Sequence, residues 1–495
     1  MNKFNLDTIL IEFSGHNWTA RQAVEGTQIF GGIGSGKTSG SGRFLALKYL
    51  SAGFGGLVLT AKTDERELWE EYCRLTNRMN DLIVVSPNNN NFFNFLEYES
   101  RETESGKSLS ENIVQILKAV IQAGEEKDGQ SDDQFWESAL DMLISNSVDL
   151  CLLAYGKVNI QMLYDIVQSL PNKNDNSKDD SKTLTAFEKA YSCAVQNVFS
   201  KITAFQSNFS NKEIIGMTEL GIADQTIQKN VPEARMLNII YQFFKETLFK
   251  LAEKTRSIID FSFSGFLYRL LREPVYSLFC SNSSSFLPED CLKGKIILID
   301  LPVKTFHKVG RDSQILIKYI WQRAMEKRNI RDNDVPVFLW ADEAQHFLHP
   351  HDADYQATAR SSRIATVYIS QNLPNYYASM GGPKADYKVK SFLGTLGTKL
   401  FHSNADNETN KYASELIGEA FYLDTSKTAS FSGKFSGSNT KSLKIDKAIR
   451  PEQFTRLKNG SPGNNFIVEG YMHLQSANLL EGNYLKVAFN QNFKP

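Results

Sequence analysis

The chain carries almost no surplus of charge. Its 55 Lys and Arg residues face 56 Asp and Glu, a formal net charge of -1 at pH 7. A polyanion therefore finds no bulk attraction, and any grip on nucleic acid must come from basic side chains arranged locally, for example around a ring pore. Cysteine is scarce as well: Cys73, Cys151, Cys193, Cys280 and Cys291 are scattered, with no C-x-x-C pair. That excludes a zinc ribbon or a disulfide frame and fits a reducing compartment. No run reaches the ~18 apolar residues of a membrane span; the most apolar helix candidate, "ALDMLISNSVDLCLLAYG", is interrupted by Asp141, Asn146 and Asp149. The opening "MNKFNLDTILIEF" alternates like a strand and lacks a signal-peptide core and cleavage site. There is no internal repeat. A cytoplasmic protein with no direct membrane span is expected.

What is present is an ordinary globular composition, 41% hydrophobic, 12% aromatic and 22% charged, in a chain of 495 residues. That length exceeds what one growing core absorbs, so several substructures are expected. "GTQIFGG", "GGLVLTAK" and "DLIVVSP" have continuous apolar centres, as strands buried on both faces do. "TSGSGRFLALKYLSAG" and "DERELWEEYCRLTNRMN" between them read as helices, and the alternation implies a parallel α/β sheet. Five segments from "SENIVQILKAVIQAG" to "ARMLNIIYQFFKETLFKLAEK" then repeat apolar residues at helical spacing, broken by the polar stretch "PNKNDNSKDDSK". Strand character returns at "GKIILIDLPV", "VPVFLWADE", "IATVYISQN" and "LGTKLFHS". Residues 1–104 are thus expected to form the first half of a nucleotide-binding domain, 105–290 an all-α insertion, 291–420 the second half, and 421–495 a strand-rich end completing the core. The Ser/Gly/Lys-rich segment near 427–442 is either a contact to a phosphate backbone or, as the default reading, a mobile surface hairpin.

Residues 31–38, "GGIGSGKT", fit G-x-x-x-x-G-K-[ST] between a strand and a helix, the context in which that pattern cradles phosphates. Glycines let successive backbone N–H groups turn toward phosphate oxygens, and the next helix aims its positive end there. Gly31, Gly32, Ile33, Gly34, Ser35, Gly36, Lys37, Thr38 and Ser39 are therefore the expected nucleotide-binding residues. Lys37 would reach the β and γ phosphates, and the Thr38 hydroxyl would ligate Mg2+. The second metal ligand is expected on a buried strand beside the loop. "VFLWADEAQ" supplies Asp342 for the metal and Glu343 to polarise water against the γ-phosphate of ATP. That second acid separates water-activating ATPases from kinases. At the end of the next strand, Gln371 is either a γ-phosphate sensor or a plain strand-end amide. Arg360 and Arg363, on an expected helix upstream, are either surface residues or arginines for a neighbour's site. "HFLHPHDAD" gathers His346, His349, His351, Asp352 and Asp354, but with a proline and no cysteine it reads as a solvated loop rather than a metal site.

The order of these parts resembles the TraD/TraG-type conjugative coupling proteins of type IV secretion, within the FtsK/HerA superfamily of DNA-pumping ATPases. The likeness runs from "GGIGSGKTSGSGRFLALKYLSAGFGGLVLTAKTDE" and "IVVSPNNNNFFNFLEY" through "DQFWESALDML", "LKGKIILIDLPV", "VFLWADEAQHF" and "TVYISQN" to "KLFHSNADNETNKYASELIG". It implies a RecA-like P-loop NTPase core with an all-α insertion, hexameric rings, ATP at subunit interfaces and DNA threaded through the pore. Carried over by position, Lys37, Thr38, Asp342, Glu343 and Gln371 match the family's phosphate, magnesium, catalytic and sensor residues, and Arg360 falls where a trans-acting arginine stands. Lys62 in "LTAKTDE" matches the lysine of a "D-P-K" segment, with Thr60 where an aspartate is usual.

The resemblance makes the chain an expected DNA translocase, with relaxase, secretion-channel or nuclease proteins as candidate partners. Typical coupling proteins begin with membrane helices, whereas this chain reaches its P-loop after about thirty residues. It is then either a soluble branch recruited to the inner membrane through partners or a HerA-like motor acting with a nuclease in defence. The alternative of another class is a nucleotide-dependent recruitment module that moves no DNA.

Overall fold

The continuous apolar segments become strands with both faces covered. In the computed structural model, residues 3–13, 15–100, 110–124, 134–171, 184–210, 213, 215, 217, 223–349, 351–382, 384–431, 435–475 and 482–495 are described. Among them the strands run β1 (Ile9–Phe13), β2 (His16–Thr19), β3 (Thr27–Phe30), β4 (Gly55–Leu59), β5 (Leu82–Val85), β6 (Ile296–Ile299), β7 (Val337–Ala341), β8 (Ile364–Ser370) and β9 (Thr398–Phe401). They continue with β10 (Glu419–Phe431), β11 (Phe435–Lys447), β12 (Ile467–Leu474) and β13 (Tyr484–Asn490). Nine of these form one sheet in the order β13-β12-β9-β3-β8-β7-β4-β6-β5. Every residue of β3, β4, β6, β7, β8 and β9 is buried. That is why β4, β6 and β7 read as unbroken apolar runs instead of alternating ones, while β3 and β9 bury polar residues such as Gln28 and Lys399 as well.

Two compact units divide the chain. One comprises Met1–Val84, Pro288–Thr305 and Trp321–Pro495, and holds the sheet. On it the pairs β9/β3, β3/β8, β8/β7, β7/β4 and β4/β6 are parallel, while β12 pairs antiparallel with both β9 and β13. This is a RecA-like α/β arrangement. Its core packs Trp69 against Phe338 with stacked rings 5.6 Å apart, and Trp18 against Tyr49 at 6.3 Å. The other unit comprises Val85–Leu287 and Phe306–Ile320. Its helices include Ser110–Gly124, Gln134–Tyr155, Ile160–Gln168, Ala186–Gln206, Pro232–Tyr241 and Glu253–Leu270. They coincide with the segments of helical periodicity; most of the polar stretch at 171–182 lies outside the described residues. No single helix among the described residues is long and apolar enough to cross a membrane.

One expectation is extended and another corrected. The hairpin near 427–442 is the end of a longer two-stranded antiparallel ribbon, β10 with β11, from Glu419↔Lys447 to Phe431↔Phe435. "HFLHPHDAD" is not a solvated loop. His349 and Asp352 are buried, Gln322 donates to Asp352 Oδ1 at 3.0 Å, and His349 Nε2 lies 3.1 Å from Gln322 Oε1. The helix Asp352–Ala359 begins inside the stretch, and the described residues contain no cluster of metal-ligating side chains.

Candidate active site

The parallel strands end in register, so the residues after them gather along one edge, the place where open α/β sheets bind ligands. Phe30 aligns with Ser370 and with Phe401, and Leu59 with Ala341 and Ile299. The P-loop leaves β3 at this edge, Gln371 leaves β8, Asp342-Glu343 leaves β7, Thr60-Ala61-Lys62 leaves β4 and His402 leaves β9. The acid strand does not lie beside the loop strand, as the motifs alone suggest. β8 separates β3 from β7, so the amide of Gln371 rises between the phosphate loop and the acids.

The loop turns at Gly34 (φ 69°) and Gly36 (φ 81°), left-handed conformations that favour glycine. At Gly36 space adds a second demand, because a Cβ there would stand 2.4 Å from Val468 Cγ2 on β12. Gly32 N–H donates to Ser403 O, tying the loop to the segment after β9. Thr38–Gly42 is a π-helical turn, with Gly42 N–H donating to Lys37 O, before the helix Arg43–Ser51; such turns cluster at functional sites. Lys37 is buried, while Ile33 at the apex is 90% exposed. The Ser35 hydroxyl is buried with no hydrogen-bond partner, and Ser39 Oγ accepts from Gln491 Nε2 at 2.6 Å. Gly32, Ile33 and Ser35 line an open cleft of about 380 Å3 with Gln371, Asn404 and Asn459.

Loop and acid pair meet directly. Thr38 Oγ1 donates to Asp342 Oδ2 at 2.8 Å, although 304 residues separate them. Asp342 Oδ1 accepts the Glu343 N–H at 2.9 Å. Hydroxyl and carboxylate are hard oxygen donors, the type Mg2+ takes, so Thr38 and Asp342 fit a magnesium ligand pair.

Glu343 has left-handed backbone angles (φ 51°, ψ 49°), a strained geometry for a residue with a side chain and one that concentrates at functional sites. Its carboxylate accepts from Gln345 Nε2 at 2.8 Å and from Gln371 Nε2 at 3.3 Å, and Ser370 Oγ donates to Gln345 Oε1 at 2.9 Å. Burial would raise the Glu343 pKa, but Gln345, Lys62, Lys37 and Gln371 together hold it below the ordinary value. Burial lowers the Lys37 pKa against the pull of Glu343 and Asp342.

Lys62 belongs to this cluster. Its ammonium donates to Asp342 Oδ2 at 2.9 Å and lies 3.4 Å from Glu343 Oε1. Burial would depress its pKa, yet Asp342, Glu343 and Glu65 raise it above that of an ordinary lysine. Thr60 ties strand to strand, its hydroxyl donating to Ile299 O at 2.7 Å. Glu65 is buried; one carboxylate oxygen accepts the Ala61 N–H at 2.7 Å and the other has no partner. Burial first, then Asp342, push its pKa up.

The two arginines separate. Arg363 is tied into the fold, its guanidinium 3.3 Å from Asp334. Arg360 caps the helix Asp352–Ala359; its side chain is 61% exposed and pairs with Glu25 at 3.2 Å. Glu25 precedes β3 at the sheet edge opposite the P-loop, so Arg360 lies away from the site of its own chain. Sequence pattern alone does not single out Gln345, Glu65 and His402. Gln345 stands in the quoted "ADEAQ", but nothing local marks its amide as the group that orients Glu343.

Comparison with known proteins bears out the family resemblance. Residues 336–459 match the family model described as the TraM recognition site of TraD and TraG. Among solved structures, the bacterial conjugative coupling protein TrwBdeltaN70 in its unbound form is similar with a TM-score of 0.61 and 12% identity, covering 100% of this chain and 90% of that one. TrwB with the non-hydrolysable GTP analogue GDPNP gives 0.57 and 12%, over 100% and 92%. TrwB with ADP and Mg2+ gives 0.58 and 11%, over 100% and 91%. At such identity these matches establish the fold. No curated protein sequence matches the chain.

Proposed function

We propose that this chain is an ATP-hydrolysing DNA translocase of the TraD/TraG coupling type, working as a ring, hexameric as the resemblance implies. The observation that carries the reading is the Thr38–Asp342 hydrogen bond, which joins a phosphate loop to an acid pair drawn from far along the chain. Lys37 and the loop N–H groups bind the triphosphate, and the cleft beside Gln371 and Asn404 accommodates the rest of the nucleotide. Thr38 and Asp342 hold Mg2+, which when bound neutralises phosphate charge. Glu343, ionised and aimed by Gln345, polarises the attacking water, while Gln371 reports on the γ-phosphate from between loop and acids. Arg360, exposed and remote from its own site, serves a neighbouring subunit in this reading. TrwB, with the same fold, has been solved with ADP and Mg2+, which supports ATP and Mg2+ as the ligands.

A second reading keeps the nucleotide site but moves no DNA, using ATP to recruit a protein partner. The match to a TraM recognition site favours it, as does the net charge of -1. Steady-state ATPase assays with and without single- and double-stranded DNA, with particle size measured in parallel, separate the two. The motor requires DNA-stimulated hydrolysis by an oligomer, lost in Lys37→Ala and in Glu343→Gln with ATP binding kept in the latter. Arg360→Ala subunits mixed with Glu343→Gln subunits should regain some hydrolysis if the arginine acts across an interface. A chain that stays monomeric with nucleotide and hydrolyses ATP indifferently to DNA refutes the motor.

A further inference from the structure

Lys62 is positioned with more care than a surface ion pair needs. The turn after β4 is held at Thr60 by Ile299 O, at the Ala61 N–H by Glu65, and at the Ala61 carbonyl by the Lys304 N–H at 3.1 Å. This fixed turn delivers the ammonium to Asp342 Oδ2, the oxygen to which Thr38 also donates. Asp342 Oδ1 faces the Glu343 N–H, whereas Oδ2 faces Thr38, the other expected metal ligand, so Lys62 sits on the oxygen that a metal shared with Thr38 would take. The charges agree with the geometry. Lys37 and Lys62 balance Asp342 and Glu343; Lys37 and both acids are buried, and the partly exposed Lys62 pairs with both acids. A divalent ion arriving alone would leave two uncompensated positive charges there. Arriving with a triphosphate, it brings the anion that a displaced lysine can turn to.

We propose that Lys62 is a positioning residue that competes with Mg2+ for Asp342, so that metal enters the site only together with nucleotide phosphates. The inference rests on the reading of this site as a magnesium–nucleotide site. It makes the lysine a guard against futile metal loading, and it assigns a role that neither the P-loop nor the acid pair supplies. An ordinary structural ion pair would affect stability and leave metal affinity alone.

The test is a titration of the full chain with Mn2+ in the absence of nucleotide, free ion being counted by its electron paramagnetic resonance signal. Wild type should bind weakly. Lys62→Met should bind at least about ten-fold tighter, because removing a unit charge at salt-bridge distance is worth more than one decade at the effective dielectric of such sites. Lys62→Arg should restore weak binding, and Asp342→Asn in the Lys62→Met background should abolish the gain. Lys62→Gln, which keeps a polar head, replaces the methionine variant if that one does not fold. Equal affinities in the folded wild-type and charge-removed chains overturn the proposal, as does a gain that survives Asp342→Asn. If Mn2+ fails to bind wild type even with an ATP analogue, the magnesium–nucleotide reading falls and the inference with it; equal affinities alone leave that reading intact.

Discussion

Replacing Gln345 by alanine isolates how Glu343 is aimed. The Gln345 amide donates to Glu343 Oε2 at 2.8 Å and is itself fixed by Ser370, while the backbone of Glu343 is left-handed. A hydrogen bond to a charged group contributes about 1.5–3 kcal/mol. Gln371 at 3.3 Å and Lys62 at 3.4 Å remain, so a net loss of roughly 1–2 kcal/mol is reasonable. That corresponds to about ten-fold in rate. The sign comes from the native environment. Glu343 is held below the ordinary carboxylate value, so it stays ionised as the pH falls, and losing Gln345 raises its pKa. The acid limb of the kcat–pH profile should therefore move to higher pH, and the loss of aim should lower kcat at neutral pH roughly ten-fold. Binding of a fluorescent ATP analogue should be unchanged. An unmoved acid limb, in a variant that melts like wild type, would refute the claim that this amide sets the charge state and aim of Glu343.

Two further outcomes are expected. Gly36→Ala forces a side chain into a left-handed residue and against Val468; nucleotide affinity should fall at least ten-fold, and Val468→Ala should return part of it by relieving the clash, read by isothermal titration. His402 is fully buried, its Nδ1 2.8 Å from Glu469 O and its Nε2 2.7 Å from Ser41 Oγ, and burial lowers its pKa to about 4. Between the unfolded value near 6.5 and about 4, the unfolded chain takes up a proton that the folded one refuses. Stability therefore drops as the pH falls through that window, by roughly 2–3 kcal/mol at pH 4.5. His402→Gln should flatten that part of the melting-temperature profile, leaving the share of His473, whose pKa burial also lowers to about 4.

The elements legible in the sequence are those whose signal is local. β4 and β7 announce themselves because burial on both faces leaves them no polar residue, and the P-loop because its glycines and lysine are contiguous. Strand order is not legible. Nothing in "TVYISQN" says that β8 lies between the loop strand and the acid strand, since parallel pairing depends on crossovers whose partners are distant in sequence. The contacts of Lys62 and Gln345 are hidden for a related reason: each acquires its meaning from a carboxylate brought beside it by register or by a tight turn. His349 and Asp352 read as loop residues because Gln322, their partner, sits on another helix about thirty residues away.

The last strands have a practical consequence. Gly36 and Gly40 pack against Val468, Ser39 accepts from Gln491, and Ser41 reaches the Glu469 carbonyl through His402. The hairpin of β12 and β13 is thus the back wall of the phosphate loop. Trimming the chain after Ile449, or clipping it there with a protease, would loosen the nucleotide's grip without touching the phosphate loop or the acid pair, and a C-terminal affinity tag is best checked for the same effect before any rate is measured.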